Sequence, residues 1–288
     1  MAKILYGKPV MEAMNRRMTA EIADLKARGI APTLATLRVG DRPDDVAYER
    51  GILKRCENLD IEVKKIVLPL ETSQEELMAT IREINADDTI HGCLIFRKLP
   101  GNFDDDAVCA ALAPEKDMDG ITEGSLAGVF TGKDRGYPPC TAQACMELLD
   151  FYGYELKGKK AVVIGRSLVI GKPVAMMLLG RHATVTTCHT RTVDMPSVTR
   201  DADVLIAAAG VAGVVDSSYV REDQVVIDVG INFNEDGRMV GDVNYDAVEP
   251  IVGAITPVPG GVGTVTTTVL ADHVVQAAKK IAAAAHGQ

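Results

Sequence analysis

The chain has 288 residues, of which 47% are hydrophobic and 25% charged, a composition typical of globular proteins and not of disordered or disulfide-stapled ones. It contains 31 Lys and Arg against 40 Asp and Glu, a net charge of −9 that argues against general binding to nucleic acids or anionic membranes. No apolar run reaches the roughly 18 residues needed to span a bilayer, and the first nine residues lack a signal-peptide core. Six cysteines occur without a CxxC pair or a metal-ligand spacing, so we expect reduced thiols, no bound metal and a cytoplasmic protein.

The first third of the chain alternates between helical and strand patterns. Apolar residues at helical spacing predict helices over residues 10–28, 45–59 and 73–85. Short apolar runs predict strands over residues 33–39, 61–68 and 91–96. Ser73 and Glu76 form a capping-box pattern at the start of the third helix. Because strands alternate with helices of 10–15 residues, we predict a parallel α/β sheet.

A second α/β series follows a segment rich in Gly and Pro at residues 131–139, where we place a domain boundary. A helix is predicted over residues 141–152, and a last helix over about 269–285. The apolar runs between them predict strands over residues 161–164, 184–187, 204–208 and 225–229. We therefore assign residues 1–140 and 269–288 to one domain and residues 141–268 to the other.

A glycine-containing turn links the first strand of the second series to a helix. Gly165 at the strand end permits a tight turn, and the backbone N–H groups of the following helix can hold a phosphate. Five residues separate Gly165 from Gly171, which is not the standard spacing of dinucleotide-binding glycines. The motif alone leaves open an ordinary turn that binds nothing.

The end of the next predicted strand bears on the choice of cofactor. NAD sites usually carry Asp or Glu there to bind the ribose 2′-hydroxyl, but this chain has Thr190 and Arg191. Arg166 lies on the preceding turn. Two guanidinium groups and a hydroxyl suit a 2′-phosphate, so the pattern favours NADP over NAD, unless Arg191 is only solvated.

Four stretches together resemble the methylenetetrahydrofolate dehydrogenase/cyclohydrolase family. They are Pro114–Gly120, Val163–Ser167 with Gly171–Pro173, Asp228–Asn232 and Thr256–Gly263. The resemblance runs from Val39 to about Leu270 and implies a folate-binding α/β domain and a Rossmann-like parallel-sheet domain, with a cleft between them. It also implies a homodimer joined through the cofactor domains. The implied reactions are the oxidation of 5,10-methylenetetrahydrofolate with NAD(P) and the hydrolysis of the methenyl product to 10-formyltetrahydrofolate.

The resemblance also suggests roles for individual residues. Tyr48 matches the tyrosine that stacks on the folate, and Asp119 the aspartate that accepts hydrogen bonds from the pterin. Pro259, Gly260 and Gly261, followed by Gly263, match the segment that approaches the nicotinamide and the substrate. The positions that match the cofactor site are Gly165, Arg166, Ser167, Gly171, Thr190, Arg191 and Ile231.

Two positions that carry polar catalytic groups in the family are apolar here. Ile52 stands at the position of the family lysine and Phe96 at that of the family glutamine. Hydride transfer needs mainly the alignment of the two reactants. Hydrolysis also needs a titratable side chain that transfers protons, and an isoleucine has no such group. We therefore expect an NADP-dependent dehydrogenase whose cyclohydrolase step is weak or lost.

Two alternatives remain open. The enzyme is fully bifunctional if Lys54, Arg97 or Lys98 replaces the family lysine. On a regular helix, however, Lys54 lies about 120° away from the face of Tyr48. The other alternative is a paralogue that binds folate or nucleotide without catalysis, or one with a changed substrate.

Overall fold

A computed structural model describes residues 1–101 and 103–286 of the chain. The helices are α1 (Gly7–Ala27), α2 (Pro43–Leu59), α3 (Gln74–Ala86), α4 (Asp105–Ala111), α5 (Glu123–Thr131), α6 (Cys140–Phe151), α7 (Gly171–Gly180), α8 (Met195–Arg200), α9 (Tyr245–Val248) and α10 (Val262–His286). The strands are β1 (Lys3–Ile4), β2 (Thr33–Val39), β3 (Glu62–Leu68), β4 (Gly92–Ile95), β5 (Lys160–Ile164), β6 (Thr184–Cys188), β7 (Val204–Ala207), β8 (Val225–Asp228), β9 (Asn232–Phe233), β10 (Met239–Val240) and β11 (Ala254–Ile255). Among the described residues, no helix is both long and apolar enough to cross a membrane.

The chain folds into two units, each built around its own parallel sheet. The three-stranded unit comprises Ala13–Cys140 and Thr267–Gln288, and the six-stranded unit comprises Met1–Glu12 and Thr141–Thr266. Our sequence-based division placed the first twelve residues with the three-stranded unit. They belong instead to the six-stranded unit because β1 pairs in parallel with β11 and extends the larger sheet.

The three-stranded unit is built on a parallel sheet of order β3–β2–β4. Every residue of the central strand β2 is buried, as expected for a parallel strand covered on both faces. Leu37 lies opposite both Ile66 and Ile95, so the strands end at a common edge. The capping box predicted at Ser73 is present at the start of α3.

Helix α2 is fixed to this sheet by a buried ionic cluster. Glu49 accepts hydrogen bonds from Thr36 Oγ1 at 3.0 Å and from Arg38 Nε at 3.1 Å, and Lys65 Nζ lies 2.9 Å from its carboxylate. Burial alone would raise the pKa of Glu49, but the hydrogen bonds from Lys65, Arg38 and Thr36 outweigh it and lower that pKa. The cluster thus anchors the turn of α2 that carries Tyr48 on two strands at once.

The six-stranded unit contains an entirely parallel sheet of order β1–β11–β8–β7–β5–β6. This arrangement confirms the parallel α/β sheet expected for the second series. No strand was predicted at β1, β9, β10 or β11, because strands of two residues are too short to show a periodic pattern.

Helix α10 begins at Val262, seven residues before the predicted start at 269. The preceding turn ends at Gly261, where a Cβ atom would lie 2.5 Å from the carbonyl oxygen of Pro257. Gly260 has the positive φ of the turn, at 105°, whereas Gly263 lies inside the helix. The Thr-rich start of α10 has low helix propensity, so burial of Val265 and Val269 contributes to its stability.

Candidate functional site

Tyr48 and Phe96 meet at the edge where the strands of the three-stranded unit end. Tyr48 lies on α2 and exposes 42% of its surface, whereas Phe96 follows β4 and exposes 5%. Their rings make an edge-on contact with centroids 6.1 Å apart. The tyrosine ring is therefore in contact with a hydrocarbon ring at the position that the resemblance assigns to the family glutamine.

Asp119 is brought to the same sheet by an isolated parallel bridge between Cys93 and Asp117. Its carboxylate is half-buried and lies near Cys140, at the start of α6, whose polar groups lower its pKa. Burial and the nearby charge of Asp117 raise the pKa of Asp119 to about 6, against the opposing effects of Cys140 and Arg97. A carboxylate that titrates close to neutral pH is therefore present, which the sequence analysis did not anticipate.

Ile52 is part of the buried stripe of α2 and exposes only 1% of its surface. Tyr48 and Ile52 are four residues apart, a spacing that places them near each other on a helix, but the core covers Ile52 and leaves Tyr48 partly open. Successive positions i and i+4 are offset by about 40° around a helix, enough to fall on opposite sides of a burial boundary. The position that the resemblance assigns to the family lysine therefore holds a core hydrocarbon.

Three cations near Ile52 and Phe96 in sequence are the alternatives to that lysine. Lys54 is exposed on α2, which runs through Gly51 without a break, so it stays away from the face of Tyr48. Arg97 Nη2 lies 3.7 Å from Asp105 Oδ2, and its charge lowers the pKa of Asp119. Lys98 is exposed. Of the three, Arg97 is the one whose charge acts on Asp119.

In the six-stranded unit, the turn after β5 depends on glycine at both ends. Gly165 has a φ of 121°, and a Cβ atom there would lie 2.1 Å from the carbonyl oxygen of Ala208. A Cβ atom on Gly171, the first residue of α7, would lie 2.3 Å from the carbonyl oxygen of Gly165. Within the turn, the Ile170 N–H donates to Ser167 Oγ at 3.3 Å. The turn is tight enough to bring backbone N–H groups and the start of a helix to one place, as phosphate binding requires.

Arg166, Thr190 and Arg191 follow the ends of two neighbouring strands. Ile164 at the end of β5 lies opposite Cys188 at the end of β6. Each of the three residues follows one of these strand ends by no more than three positions in sequence, and each is at least partly exposed. Among the described residues, neither guanidinium group forms an ion pair or a side-chain hydrogen bond. These free donors and the absence of an acidic residue at this position fit the 2′-phosphate of NADP.

A cavity of about 280 Å³ opens beside the ends of β8 and β11 in the six-stranded unit. Its lining includes Asp228, Gly230, Ile231, Pro259, Gly260 and Gly261. Ile231 and the predicted residues of the Thr256–Gly263 motif therefore line the same cavity. The predicted residues of the phosphate turn are not part of that lining.

Two buried aspartates hold the loops around this cavity, and the sequence analysis gave them no role. Asp228 accepts hydrogen bonds from the N–H groups of Gly230 and Asp242 at 2.9 Å each, and from that of Val243 at 3.0 Å. Asp242 in turn accepts from the N–H groups of Ala209 at 2.6 Å and Gly210 at 2.8 Å. Burial raises the pKa of Asp228 to about 6, and the charge of Asp242 adds to the effect.

The sequence matches two related family models that together span most of the chain. Residues 5–119 match the tetrahydrofolate dehydrogenase/cyclohydrolase catalytic domain, and residues 139–282 match the NAD(P)-binding domain of the same family. The chain belongs to the tetrahydrofolate dehydrogenase/cyclohydrolase family. This confirms the resemblance found in the sequence, including a two-domain α/β fold and an NAD(P)-binding domain.

Curated relatives and solved structures of the tetrahydrofolate dehydrogenase/cyclohydrolase family align over nearly the full length. The bifunctional protein FolD 1 of Desulfitobacterium hafniense is 50% identical over 97% of this chain and 99% of its own. The bifunctional enzyme FolD of Campylobacter jejuni superposes with a TM-score of 0.94 at 38% identity, covering 97% of this chain and 99% of that one. A Trypanosoma brucei FolD structure complexed with NADP and an inhibitor gives a TM-score of 0.89 at 33% identity, with coverages of 97% and 98%.

Proposed function

We propose that this family member oxidises 5,10-methylenetetrahydrofolate to 5,10-methenyltetrahydrofolate with NADP, and that its cyclohydrolase step is weak or lost. The observation that carries the proposal is the burial of Ile52 together with the packing of Phe96 against Tyr48. Both positions that carry polar groups in the family hold hydrocarbon, while Tyr48, Asp119 and the phosphate turn are retained.

The retained residues suit hydride transfer because that reaction asks little of protein side chains. The exposed part of Tyr48 offers a flat surface for the folate, and Asp119 offers a carboxylate to the donors of the pterin edge. The two contacts fix the reacting methylene carbon in position, which is the main protein contribution to this step. Bound NADP supplies the hydride acceptor.

The second candidate function is that of a fully bifunctional dehydrogenase and cyclohydrolase. It is favoured by the relatives, which are named as bifunctional proteins. Hydrolysis would then use a group other than a lysine at position 52. Asp119, with its pKa near 6 and the charge of Arg97 acting on it, is the titrating group that this chain offers. An assay of the native protein for both activities, described below, separates the two candidates.

We expect NADP to be preferred over NAD, because Arg166, Thr190 and Arg191 stand where an acidic ribose ligand would exclude the 2′-phosphate. Arg191→Ala should weaken NADP binding by about 1–3 kcal/mol, the range of a hydrogen bond to a charged group, and leave NAD nearly unaffected. The measurement is kcat/KM for both cofactors in both proteins. Equal values in the native protein, or a preference for NAD, would contradict the assignment.

We also propose a homodimer joined through the cofactor domain. The β9–β10 hairpin exposes two large apolar side chains that are paired across its strands, Phe233 by 65% and Met239 by 38%. Clustered exposed apolar groups of this kind are typical of protein interfaces.

The six cysteines are all free and buried, in keeping with the reducing cytoplasm where we place the protein.

The dimer is tested by sedimentation equilibrium. The native protein should sediment with twice the 30.7 kDa mass of the chain, and Phe233→Ser with Met239→Ser should shift it to the monomer mass. Phe130→Ser is the matched control, because Phe130 is 74% exposed but lies in the three-stranded unit. A native monomer, or a dimer disrupted equally by the control, would argue against this interface.

A further inference from the structure

A second cavity, of about 290 Å³, lies within the three-stranded unit at the end of the sheet away from Tyr48. His91 lines this cavity and directly precedes β4, whereas Phe96 directly follows that strand. Five residue steps of extended chain separate the two positions, a distance of roughly 16 Å. The cavity is therefore distinct from the edge where Tyr48 and Phe96 meet.

Two buried side chains of the lining carry hydrogen-bond donors that no described residue accepts. His91 is 5% exposed, and its Nδ1 accepts the backbone N–H of Thr33 at 3.2 Å, so the ring proton lies on Nε2. Tyr137 is 6% exposed, and burial raises the pKa of its hydroxyl, which keeps its proton. Over the part of the chain that the structure describes, neither His91 Nε2 nor the Tyr137 hydroxyl forms a hydrogen bond. Buried donors normally have partners, so these two suit a ligand that brings acceptor atoms.

The charged side chains of the lining carry a net positive charge, although the whole chain has a net charge of −9. Lys280 Nζ lies 2.5 Å from Asp134 Oδ1, so these two charges are paired. Lys116 is 8% exposed, and its ammonium group donates to two backbone carbonyl oxygens at 2.7 and 2.8 Å. Among the described residues, neither Lys116 nor Arg135 forms an ion pair, and the one unpaired carboxylate of the lining is that of Glu115. Two unpaired cations against one carboxylate favour an anionic ligand.

One wall of the cavity is apolar. Ala277, Ile281 and Ala284 follow one another at spacings of four and three residues, so they lie on one face of α10. The volume of about 290 Å³ is at the lower limit of sites for drug-sized ligands, which range over roughly 300–1,000 Å³. The occupant is therefore smaller than a dinucleotide or a folate and has an apolar part.

We propose that this cavity binds a small organic anion, whose carboxylate or phosphate group accepts hydrogen bonds from His91 Nε2 and the Tyr137 hydroxyl and is attracted by Lys116 and Arg135. Its apolar body packs on the exposed face of α10. Carboxylate and phosphate are the groups with which a guanidinium forms its strongest hydrogen bonds. The proposal does not depend on the dehydrogenase reaction.

Isothermal titration of the native protein with four probes tests the ligand class. Benzoate and phenyl phosphate carry the two head groups on one ring, benzamide has the ring without the charge, and inorganic phosphate has the charge without the ring. The better of the two aromatic anions should bind at one site per chain and identify the head group. Benzamide and inorganic phosphate should each bind at least about tenfold more weakly than that anion. Absence of saturable binding by both aromatic anions, or benzamide binding as tightly, would overturn the proposal.

Variants of the lining test the assigned contacts. Arg135→Gln should weaken binding of the anion about tenfold, the effect of one lost hydrogen bond to a charged group, and Tyr137→Phe should weaken it about fivefold. Lys133→Gln is the matched control, because Lys133 is an exposed cation two residues from Arg135 and is not part of the lining. Equal losses in Arg135→Gln and the control would assign the binding to overall charge and refute the site.

Nuclear magnetic resonance of the native protein with ¹⁵N-labelled histidine tests the site without any change in its lining. The anion should shift the Nε2 resonance of His91, which is assigned by its loss in His91→Gln. The resonances of His189, in the six-stranded unit, should not move. An unchanged His91 Nε2 at saturating anion would refute the proposal even if Arg135→Gln and Tyr137→Phe do not fold.

Competition with folate separates this cavity from the substrate site. Because His91 and Phe96 lie at opposite ends of β4, the Kd of the anion should stay within about twofold when folate is saturating. Loss of anion binding in the presence of folate would place the anion in the substrate site and contradict the proposal. Failure of the native protein to reduce NADP would instead refute the proposed function and leave this result standing.

Discussion

Asp119→Ala should lower kcat/KM for methylenetetrahydrofolate by about 100-fold while the KM for NADP stays within about twofold. The carboxylate is expected to accept two hydrogen bonds from the pterin edge, and losing both leaves buried donors without a partner at a cost of about 3 kcal/mol. Steady-state kinetics measures these two effects, and isothermal titration with folate and with NADP separately measures the two affinities. Unchanged folate affinity in the variant would show that Asp119 does not bind the pterin.

The pH dependence gives an independent check on the same residue. The pKa of Asp119 is raised to about 6 by burial and by Asp117, and the ionised form is the one that accepts hydrogen bonds. The native KM for folate should therefore rise as pH falls below about 6 and be constant above it. Asp119→Asn, which matches the carboxylate in shape but does not titrate, should lack this rise. A similar rise in Asp119→Asn would assign the titration to another group.

Ile52→Lys combined with Phe96→Gln should give the protein a cyclohydrolase activity about 100-fold above that of the native chain, the lower end of what general acid–base catalysis contributes. Ile52→Lys alone should gain little and lose stability, because it places an ammonium group at a site that is 1% exposed. Phe96→Gln supplies a polar neighbour and opens space beside Tyr48. The measurement is the decay of the near-ultraviolet absorbance of methenyltetrahydrofolate.

The matched control is Ile52→Met with Phe96→Gln, which gives a long unbranched side chain without a titratable group. It should stay at the native rate of hydrolysis. If the control gains as much activity as the lysine variant, then added space or flexibility explains the gain, and the loss of a titrating group does not explain the native behaviour. Dehydrogenase activity measured in the same samples reports whether each variant is folded.

The strands and helices with clear periodicity could be predicted because their buried positions recur at regular spacing, which shows as a local pattern of apolar residues in the sequence. Strand β2 agrees with its predicted bounds, and the predicted capping box at Ser73 is present. The start of α10 was predicted too late, because its Thr-rich first turns have low helix propensity and burial of Val265 and Val269 contributes to their stability. The family motifs indicated the turn after β5 and Asp119 as site residues, since these signals are contiguous in the chain.

The parts of the site that depend on long-range contacts could not be predicted in this way. Ile52 is in the core and not on the open face of α2, which only the packing of the helix decides. His273 and Cys140 are 133 residues apart in sequence, and nothing local to either one indicates that they share the Met118 carbonyl. The hydrogen bonds of Asp228 and Asp242 join loops that follow different strands, so they could not be predicted either. Their carboxylates were visible in the sequence, but their partners were not.

The most direct test of the account is to assay the native protein for both activities under the same conditions. We expect NADP reduction with methylenetetrahydrofolate at a rate typical of an enzyme, together with hydrolysis of methenyltetrahydrofolate that is little faster than the uncatalysed reaction. Hydrolysis well above the uncatalysed rate would contradict the claim that Ile52 and Phe96 disable this step, and it would favour the fully bifunctional alternative. Failure to reduce NADP at all would instead indicate a non-catalytic protein or one with a changed substrate.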